Sequence, residues 1–333
     1  MLRIIHLGLG EIGKGTINAL LDQGSALKLV AVVDTHPALA GRPIREVLGH
    51  SRVPDLRINP SLSDALRTRP DVATLTTGSR TVDVRPTLEQ LVRAGVHVVS
   101  TCEELSYPAL RARRIADQID RLARKHRVAI LGTGVNPGFA MDAFALACTA
   151  ACARVRGIRV VRSLDARLRR MQLQKKVGAG MTLAAVRKLI QQNAIGHVGL
   201  GESVAMIAEG LGWKLKSIEE KFTPVIATRP VRSDFFKVQT GQVRGMRMAA
   251  TGIVRGKPLI YLDLTMALGA ETFDEVQIDV PPPAIPLTIR TTSGFPGDTA
   301  TTAILINCAR LAPHLEPGVR TMLDVLRVRS LGV

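Results

Sequence analysis

Aromatic residues are scarce: one Trp, two Tyr and seven Phe among 333 residues. The stacking platforms that single-stranded nucleic acids need are therefore nearly absent. The four cysteines, Cys102, Cys148, Cys152 and Cys308, are too few and too scattered for a disulfide framework and read as buried thiols in a reducing compartment. Cys148 and Cys152 would stand one turn apart on an apolar helix, but no His or second Cys pair completes a zinc set, so no metal site is expected. No apolar run approaches the roughly 20 residues that span a bilayer. The N-terminus enters a strand without a charged leader, so no membrane partner and a cytoplasmic location are expected. Acidic residues are also few, 28 against 45 Lys and Arg, which leaves a formal charge of +17. The excess is mostly Arg and spread along the chain, its densest groups being Arg111/Arg113/Arg114 and Arg167/Arg169/Arg170. That pattern reads as a solvated basic surface and not a nucleic-acid interface, although it would raise the local concentration of a phosphorylated cofactor.

What the chain does have is core. Hydrophobic residues make up 46% and charged residues 22%, which excludes disorder and fits two domains. The first 137 residues alternate short apolar runs (Leu2 to Leu7, Leu29 to Val33, Val72 to Leu75, Val98 to Val99, Val128 to Leu131) with helical patterns at Thr16 to Leu21, Asp83 to Ala94 and Pro108 to Lys125. Continuous apolar strands separated by helices predict an α/β fold, a doubly wound parallel Rossmann sheet covered on both faces. Residues 138–298 read differently. They hold apolar helices at Phe139 to Ala153, Thr182 to Gln192 and Glu202 to Leu211, and an apolar strand at Ile158 to Leu164. Extended segments follow at Phe235 to Val238, Met246 to Val254, Leu259 to Met266, Val276 to Val280 and Leu287 to Thr291. Neighbouring strands of this kind predict a second α/β domain with a mixed or antiparallel sheet. The tail, 299–333, opens with a helix and is placed back on the first domain.

The strongest local signal is Gly8-Leu9-Gly10-Glu11-Ile12-Gly13, directly after the first strand and opening the first helix. Gly8 permits the tight turn, Gly10 lets a pyrophosphate approach the backbone, and Gly13 allows close helix–strand packing. The helix N-terminus offers unpaired N–H groups to the phosphates. Asp34, closing the second strand, can accept from both ribose hydroxyls and so favours NAD; Arg42 and Arg45 in the same loop leave NADP open. Thr77-Gly78-Ser79 after the third strand is where the ribose and pyrophosphate would pass, or else a plain turn.

Thr101-Cys102-Glu103-Glu104 ends the fourth strand on the same edge. A carboxylate there can exchange protons with a reacting amine or imine. The competing reading has one or both acids favouring the positive end of a helix starting near Tyr107-Pro108. Gly132-Thr133-Gly134-Val135-Asn136-Pro137-Gly138 fixes an unusual backbone in which Asn136 and Pro137 would meet a carboxamide or a substrate carbonyl; an interdomain hinge needs the same glycines. In the second domain Arg162, Thr182 and His197 are the polar residues placed in a cleft. Each has a structural alternative: an Arg in an apolar strand needs a partner, Thr182 would cap its helix, and His197 would be a turn histidine.

These segments, with Gly196-His197-Val198-Gly199, Glu202-Ser203 and Gly210-Leu211-Gly212-Trp213, resemble the 2,4-diaminopentanoate dehydrogenases and the native NAD(P)-dependent amine dehydrogenases of the dihydrodipicolinate-reductase-like group. The resemblance covers nearly the whole chain; the Glu-Glu and Gly-Thr-Gly-Val-Asn-Pro-Gly segments are its specific parts. It implies reversible oxidative deamination of an amine or diamino acid to a ketone, with reductive amination by ammonia in reverse, in a homodimer. The active-site glutamate of the family maps onto Glu103-Glu104, with Glu104 favoured by its spacing to Asn136. The alternative is a dihydrodipicolinate-reductase-like imine reductase, but the His-His-Arg and Lys motif of that enzyme is missing, since His197 stands alone. A nucleotide-sensing regulator that binds NADH without turnover is the non-enzymatic alternative. The segment Arg167 to Gln174 departs from the amine-dehydrogenase pattern, which bears on substrate identity.

Overall fold

The computed structural model describes residues 1–49, 52–326 and 329. It divides into two compact units, Met1–Phe139 with Gly297–Val325, and Ala140–Pro296 with Leu326–Val333.

In the first unit, β1 (Leu2–Leu7), α1 (Glu11–Leu21), β2 (Leu27–Val33), α2 (Ile44–Leu48), β3 (Ile58–Asn59), α3 (Leu62–Ala65), β4 (Val72–Leu75), α4 (Thr81–Arg93), β5 (His97–Ser100), α5 (Arg113–Lys125) and β6 (Ala129–Gly132) follow one another. The strands are buried almost throughout because helices cover both faces, which is why their runs are continuous and not alternating. Ile5, Leu75, Leu88, Leu91, Val98 and Ile130 form the centre of the core between the sheet, α4 and α5.

In the second unit come α6 (Ala143–Cys148), β7 (Gly157–Asp165), α7 (Met171–Lys176), α8 (Leu183–Gln191), α9 (Leu200–Gly210) and β8 (Leu215–Ile226). They are followed by β9 (Val231–Arg232), β10 (Lys237–Val238), β11 (Val243–Val254), β12 (Lys257–Ala267), β13 (Phe273–Asp279) and β14 (Leu287–Thr291). Its main sheet has the order β14-β13-β7-β12-β11-β8 and is mixed: β7 and β12 run parallel while the other pairs are antiparallel. Helix α9 lies over one face, and Met246, Met248 and Ala250 alternate toward the buried side as period two requires.

Two expectations change here, and one strand had no counterpart among them. Phe139 to Ala153 is not one helix: Asp142 accepts from Ala143 N–H at 2.6 Å and starts α6 four residues late, and the chain tightens into a 3-10 turn at Thr149–Ala151. Only Lys237–Val238 of the Phe235 segment pairs as strand, because the Phe235 and Phe236 amides donate to Ser233 Oγ instead. Strand β8 gives no apolar alternation in the sequence: Glu219, Glu220 and Lys221 are exposed and Pro224 interrupts, so backbone pairing with β11 defines it.

The chain returns to the first unit as α10 (Gly297–Leu311), β15 (Gly318–Arg320) and α11 (Met322–Val325). Strand β15 completes a parallel sheet of order β15-β6-β5-β4-β1-β2-β3 among the described residues. Helix α10 packs along α1. Residues 327–328 and 330–333 of the tail lie outside the described residues. Among the described residues no helix is long and apolar enough to cross a membrane.

Candidate active site

The order of the first sheet reverses between β1 and β4: from β1 the chain proceeds outward to β2 and β3, and from β4 outward to β5 and β6. Ligands of open α/β sheets bind beyond the carboxyl ends of the strands at such a point. The residues collected there come from the first unit alone.

Gly8 follows β1 with φ +95°, and a Cβ on it would meet Thr77 Cγ2 at 2.9 Å. Gly13 sits against the Gly8 carbonyl; a Cβ there would overlap its oxygen and approach His6 Nε2 to 2.9 Å. Around Gly10, by contrast, a Cβ would meet nothing within 4 Å. Two glycines are thus required by protein packing, and the third faces open space at the N-terminus of α1. Asp34 closes the loop: Oδ2 accepts from Leu9 N–H at 2.7 Å and Oδ1 from His36 N–H at 2.8 Å. A cradle of positive helix terminus, open glycine and fixed carboxylate fits a dinucleotide's pyrophosphate and ribose.

Beneath the loop lies a residue that the motif does not include. His6 is fully buried; Nε2 meets the Gly8 carbonyl oxygen at 2.8 Å and Nδ1 meets Thr74 Oγ1 at 2.8 Å. Because a carbonyl can only accept, Nε2 carries the hydrogen and Nδ1 accepts from the threonine hydroxyl. Burial pushes the imidazole down to about 4, against smaller opposing contributions from Gly8 and Asp34, so it is neutral at pH 7. A histidine interrupting the apolar run two residues before Gly8 was the available signal.

Glu104 belongs to a 3-10 turn, Glu103–Ser106, held against the sheet by Gly132, where a Cβ would overlap the Leu105 backbone. Its Oε2 accepts from Thr81 N–H at 2.8 Å, and its own N–H donates to Ser79 O at 3.2 Å. Arg80, at the cap of α4, supplies no side-chain acceptor, so Glu104 does so from across the site. The helix whose positive end receives the acid is therefore α4, not one beginning at Tyr107-Pro108. This tie orients the carboxylate, and among the described residues Oε1 has no hydrogen-bond donor. Glu103 is half-buried, and its carbonyl accepts from Ser106 Oγ. Cys102 is 1% exposed, and burial pushes its thiol up to about 12, which removes it as a nucleophile. Thr101 anchors the turn through its N–H to Leu75 O. Thr81 Oγ1 is buried with no hydrogen-bond partner among the described residues.

Asn136 and Pro137 lie in the loop after β6, with Gly138 at φ +120° against the backbone of Thr133 and Gly134. Thr301 of α10 accepts from Val135 N–H at 3.3 Å, and Thr302 Cγ2 lies 3.1 Å from where a Gly15 Cβ would be. Helix α10 thus borders both glycine-rich segments, a placement that sequence spacing could not reveal.

Arg162, Thr182 and His197 belong to the second unit. Arg162 is 2% exposed; Nη1 pairs with Asp274 Oδ1 at 2.6 Å and Nη2 donates to Phe295 O at 2.8 Å. Asp274 Oδ2 in turn accepts from Phe295 N–H at 2.6 Å. The partner that an Arg in an apolar strand needs is therefore Asp274. Thr182 caps α8 through Ala185 N–H at 3.3 Å. His197 N–H donates to Met248 S at 3.2 Å, in a turn opened by Gly196 at φ +110°. Among the described residues no group of His, Cys, Asp and Glu could hold a metal ion.

Residues 139–331 match the family model of the 2,4-diaminopentanoate dehydrogenase C-terminal domain. Over 99% of the chain it is 28% identical to 2,4-diaminopentanoate dehydrogenase of Acetoanaerobium sticklandii, covering 94% of that protein. Among solved structures, an amine dehydrogenase from Mycobacterium smegmatis superposes with a TM-score of 0.84 at 22% identity, over 98% of this chain and 97% of that one. A dipicolinate-bound dihydrodipicolinate reductase from Paenisporosarcina superposes less closely, with a TM-score of 0.56 at 13% identity, over 98% and 100% of the two chains.

Proposed function

The chain belongs to the 2,4-diaminopentanoate dehydrogenase family and is an NAD(P)-dependent amine dehydrogenase, and from that premise we propose how its own residues perform the reaction. The observation that carries the proposal is the convergence, at one switch point, of an open glycine cradle and a carboxylate with one oxygen tied and the other available. When bound, the nicotinamide supplies the acceptor for hydride leaving the amine carbon, or the donor in the reverse direction.

Gly10 and the N–H groups opening α1 hold the pyrophosphate, and Thr77, Gly78 and Ser79 line its path. His6 fixes the Gly8 carbonyl from below and so holds the turn that leads into α1. Asp34 retains acceptor capacity beyond its two backbone bonds and takes the ribose hydroxyls, which makes NAD the preferred coenzyme. Asn136 orients the carboxamide or the substrate carbonyl. Glu104 takes the proton of the substrate ammonium on Oε1 and passes it to water, and the carboxylate so restored offsets the cationic iminium that precedes the ketone. Such proton transfer and charge stabilisation are worth roughly 10²- to 10⁴-fold in rate. Water adds to the iminium to release ammonia; in reverse, ammonia and a ketone enter. The working form is a homodimer.

A panel of amines and diamino acids with NAD and NADP, followed by nicotinamide absorbance, tests the reading. Amine-dependent reduction of the coenzyme, stronger with NAD, is expected. A protein that binds NADH tightly but turns over no member of the panel would make it a nucleotide sensor instead.

A further inference from the structure

The second unit carries a cavity of about 590 Å³ that the amine chemistry leaves unused. Four arginines line it, Arg167, Arg229, Arg232 and Arg244, and among the described residues no acidic side chain does. We propose that this cavity is a binding site for a small, multiply charged oxyanion, a ligand with two or more adjacent phosphate or carboxylate groups. The proposal goes beyond the amine dehydrogenase reading and does not rest on it.

The cavity is built, not incidental. Asp165 is buried behind one wall: Oδ1 accepts from Arg167 N–H at 2.9 Å and Gly269 N–H at 2.8 Å, and Oδ2 from Arg167 Nε at 2.7 Å. Burial raises this carboxyl, but those bonds hold it below the usual carboxylate range, and they pin both Arg167 and the Gly269 turn. Arg244 is fixed to the adjoining Leu268: Nη1 donates to Leu268 O at 2.6 Å, and its carbonyl accepts from Leu268 N–H at 2.8 Å. The remaining wall is the arm between β8 and β11, which carries Arg229 and Arg232. The arm is anchored through Ser233 Oγ, which donates to the fully buried Gln174 at 2.6 Å, and Gln174 in turn donates to Arg169 O at 2.7 Å. Arg232 also stands opposite Lys237 in the β9–β10 pair.

The charges do not balance within the protein. Asp165 answers Arg167, but Arg229, Arg232 and Arg244 have no carboxylate partner among the described residues. Guanidinium groups gathered around one cavity lower their mutual repulsion by sharing an anion, and each presents paired donors matched to phosphate or carboxylate oxygens. The volume suits a small metabolite, and one charged group would leave most of the arginines unanswered.

The test is calorimetric titration of the full chain with tripolyphosphate and, separately, citrate, with NADH saturating so that the glycine cradle is blocked. Wild-type protein should bind at least one, more weakly as salt rises. The two arms separate phosphate from carboxylate sources, and either one supports the site. Arg229→Gln/Arg232→Gln should weaken binding at least tenfold while the NADH affinity stays unchanged; if that variant fails to fold, Arg229→Gln alone should still weaken it several-fold. No binding of either probe to wild-type protein, or equal binding by the variant, overturns the proposal. Since NADH affinity is read separately, loss of the amine dehydrogenase reading would not be mistaken for loss of this site.

Discussion

Replacing Gly10 and Gly13 separately by alanine distinguishes space kept for a ligand from space kept for the protein. Gly10 has φ −65° and ψ −178°, which alanine adopts freely, and a Cβ there meets nothing within 4 Å. Alanine at a helix cap is poorer than glycine by about 0.5–1 kcal/mol, while the lost freedom of the unfolded chain returns about 0.4–1 kcal/mol. The two nearly cancel, so Gly10→Ala should unfold within a degree or two of wild type. Its methyl group would nevertheless stand where the pyrophosphate must approach, and NADH affinity should fall on the order of a hundredfold, about 2.7 kcal/mol. Gly13→Ala is the opposite case. Its Cβ overlaps the Gly8 carbonyl oxygen and comes within 2.9 Å of the buried His6 ring, neither of which is a flexible end. Overpacking against such neighbours costs about 1–3 kcal/mol or more. For a unit of this size that lowers Tm by roughly 2–4 °C per kcal/mol. Calorimetric melting and fluorescence titration with NADH read the two quantities. Wild-type NADH affinity in a well-folded Gly10→Ala protein would refute the assignment of that space to the coenzyme.

Other consequences can be measured in the same way. His6 has a folded-state pKa of about 4, below its ordinary 6.5, so its neutral form contributes stability that is present above pH 6.5 and lost as pH falls toward 4. About 3 kcal/mol should disappear over that window, and His6→Asn should flatten the slope in urea unfolding measured between those pH values. Arg162→Met leaves Asp274 buried and uncompensated and should cost about 3–5 kcal/mol, whereas adding Asp274→Leu should recover much of it in the same urea series. Thr81→Val removes a buried hydroxyl that has no hydrogen-bond partner among the described residues but keeps the N–H that holds Glu104; melting temperature and turnover should both match wild type or improve slightly.

The first unit was largely legible in the sequence because its strands are buried on both faces and read as unbroken apolar runs, and because the glycine loop's requirements are local. Glu104 was reachable from its place at a strand end. What held it there was not: Thr81 and Gly132 approach through backbone contacts between distant segments, which carry no signal in spacing. Thr301 and Thr302 reach the first unit only because the chain returns after the second. In the second unit, Thr182 and Arg162 were polar residues with two readings each, and tertiary partners supplied a cap in one case and Asp274 in the other. Strand β8 escaped notice because half-exposed strands rich in charge lose the alternation that marks burial.

The proposed chemistry turns on Glu104. Its direct measurement is amine-dependent coenzyme reduction by Glu104→Gln beside wild type, with NADH affinity determined on the same samples. Glutamine keeps an acceptor for the Thr81 N–H but cannot take a proton, so turnover should fall about 10²- to 10⁴-fold with NADH affinity unchanged. A Glu104→Gln protein that oxidises amines at the wild-type rate would contradict the mechanism.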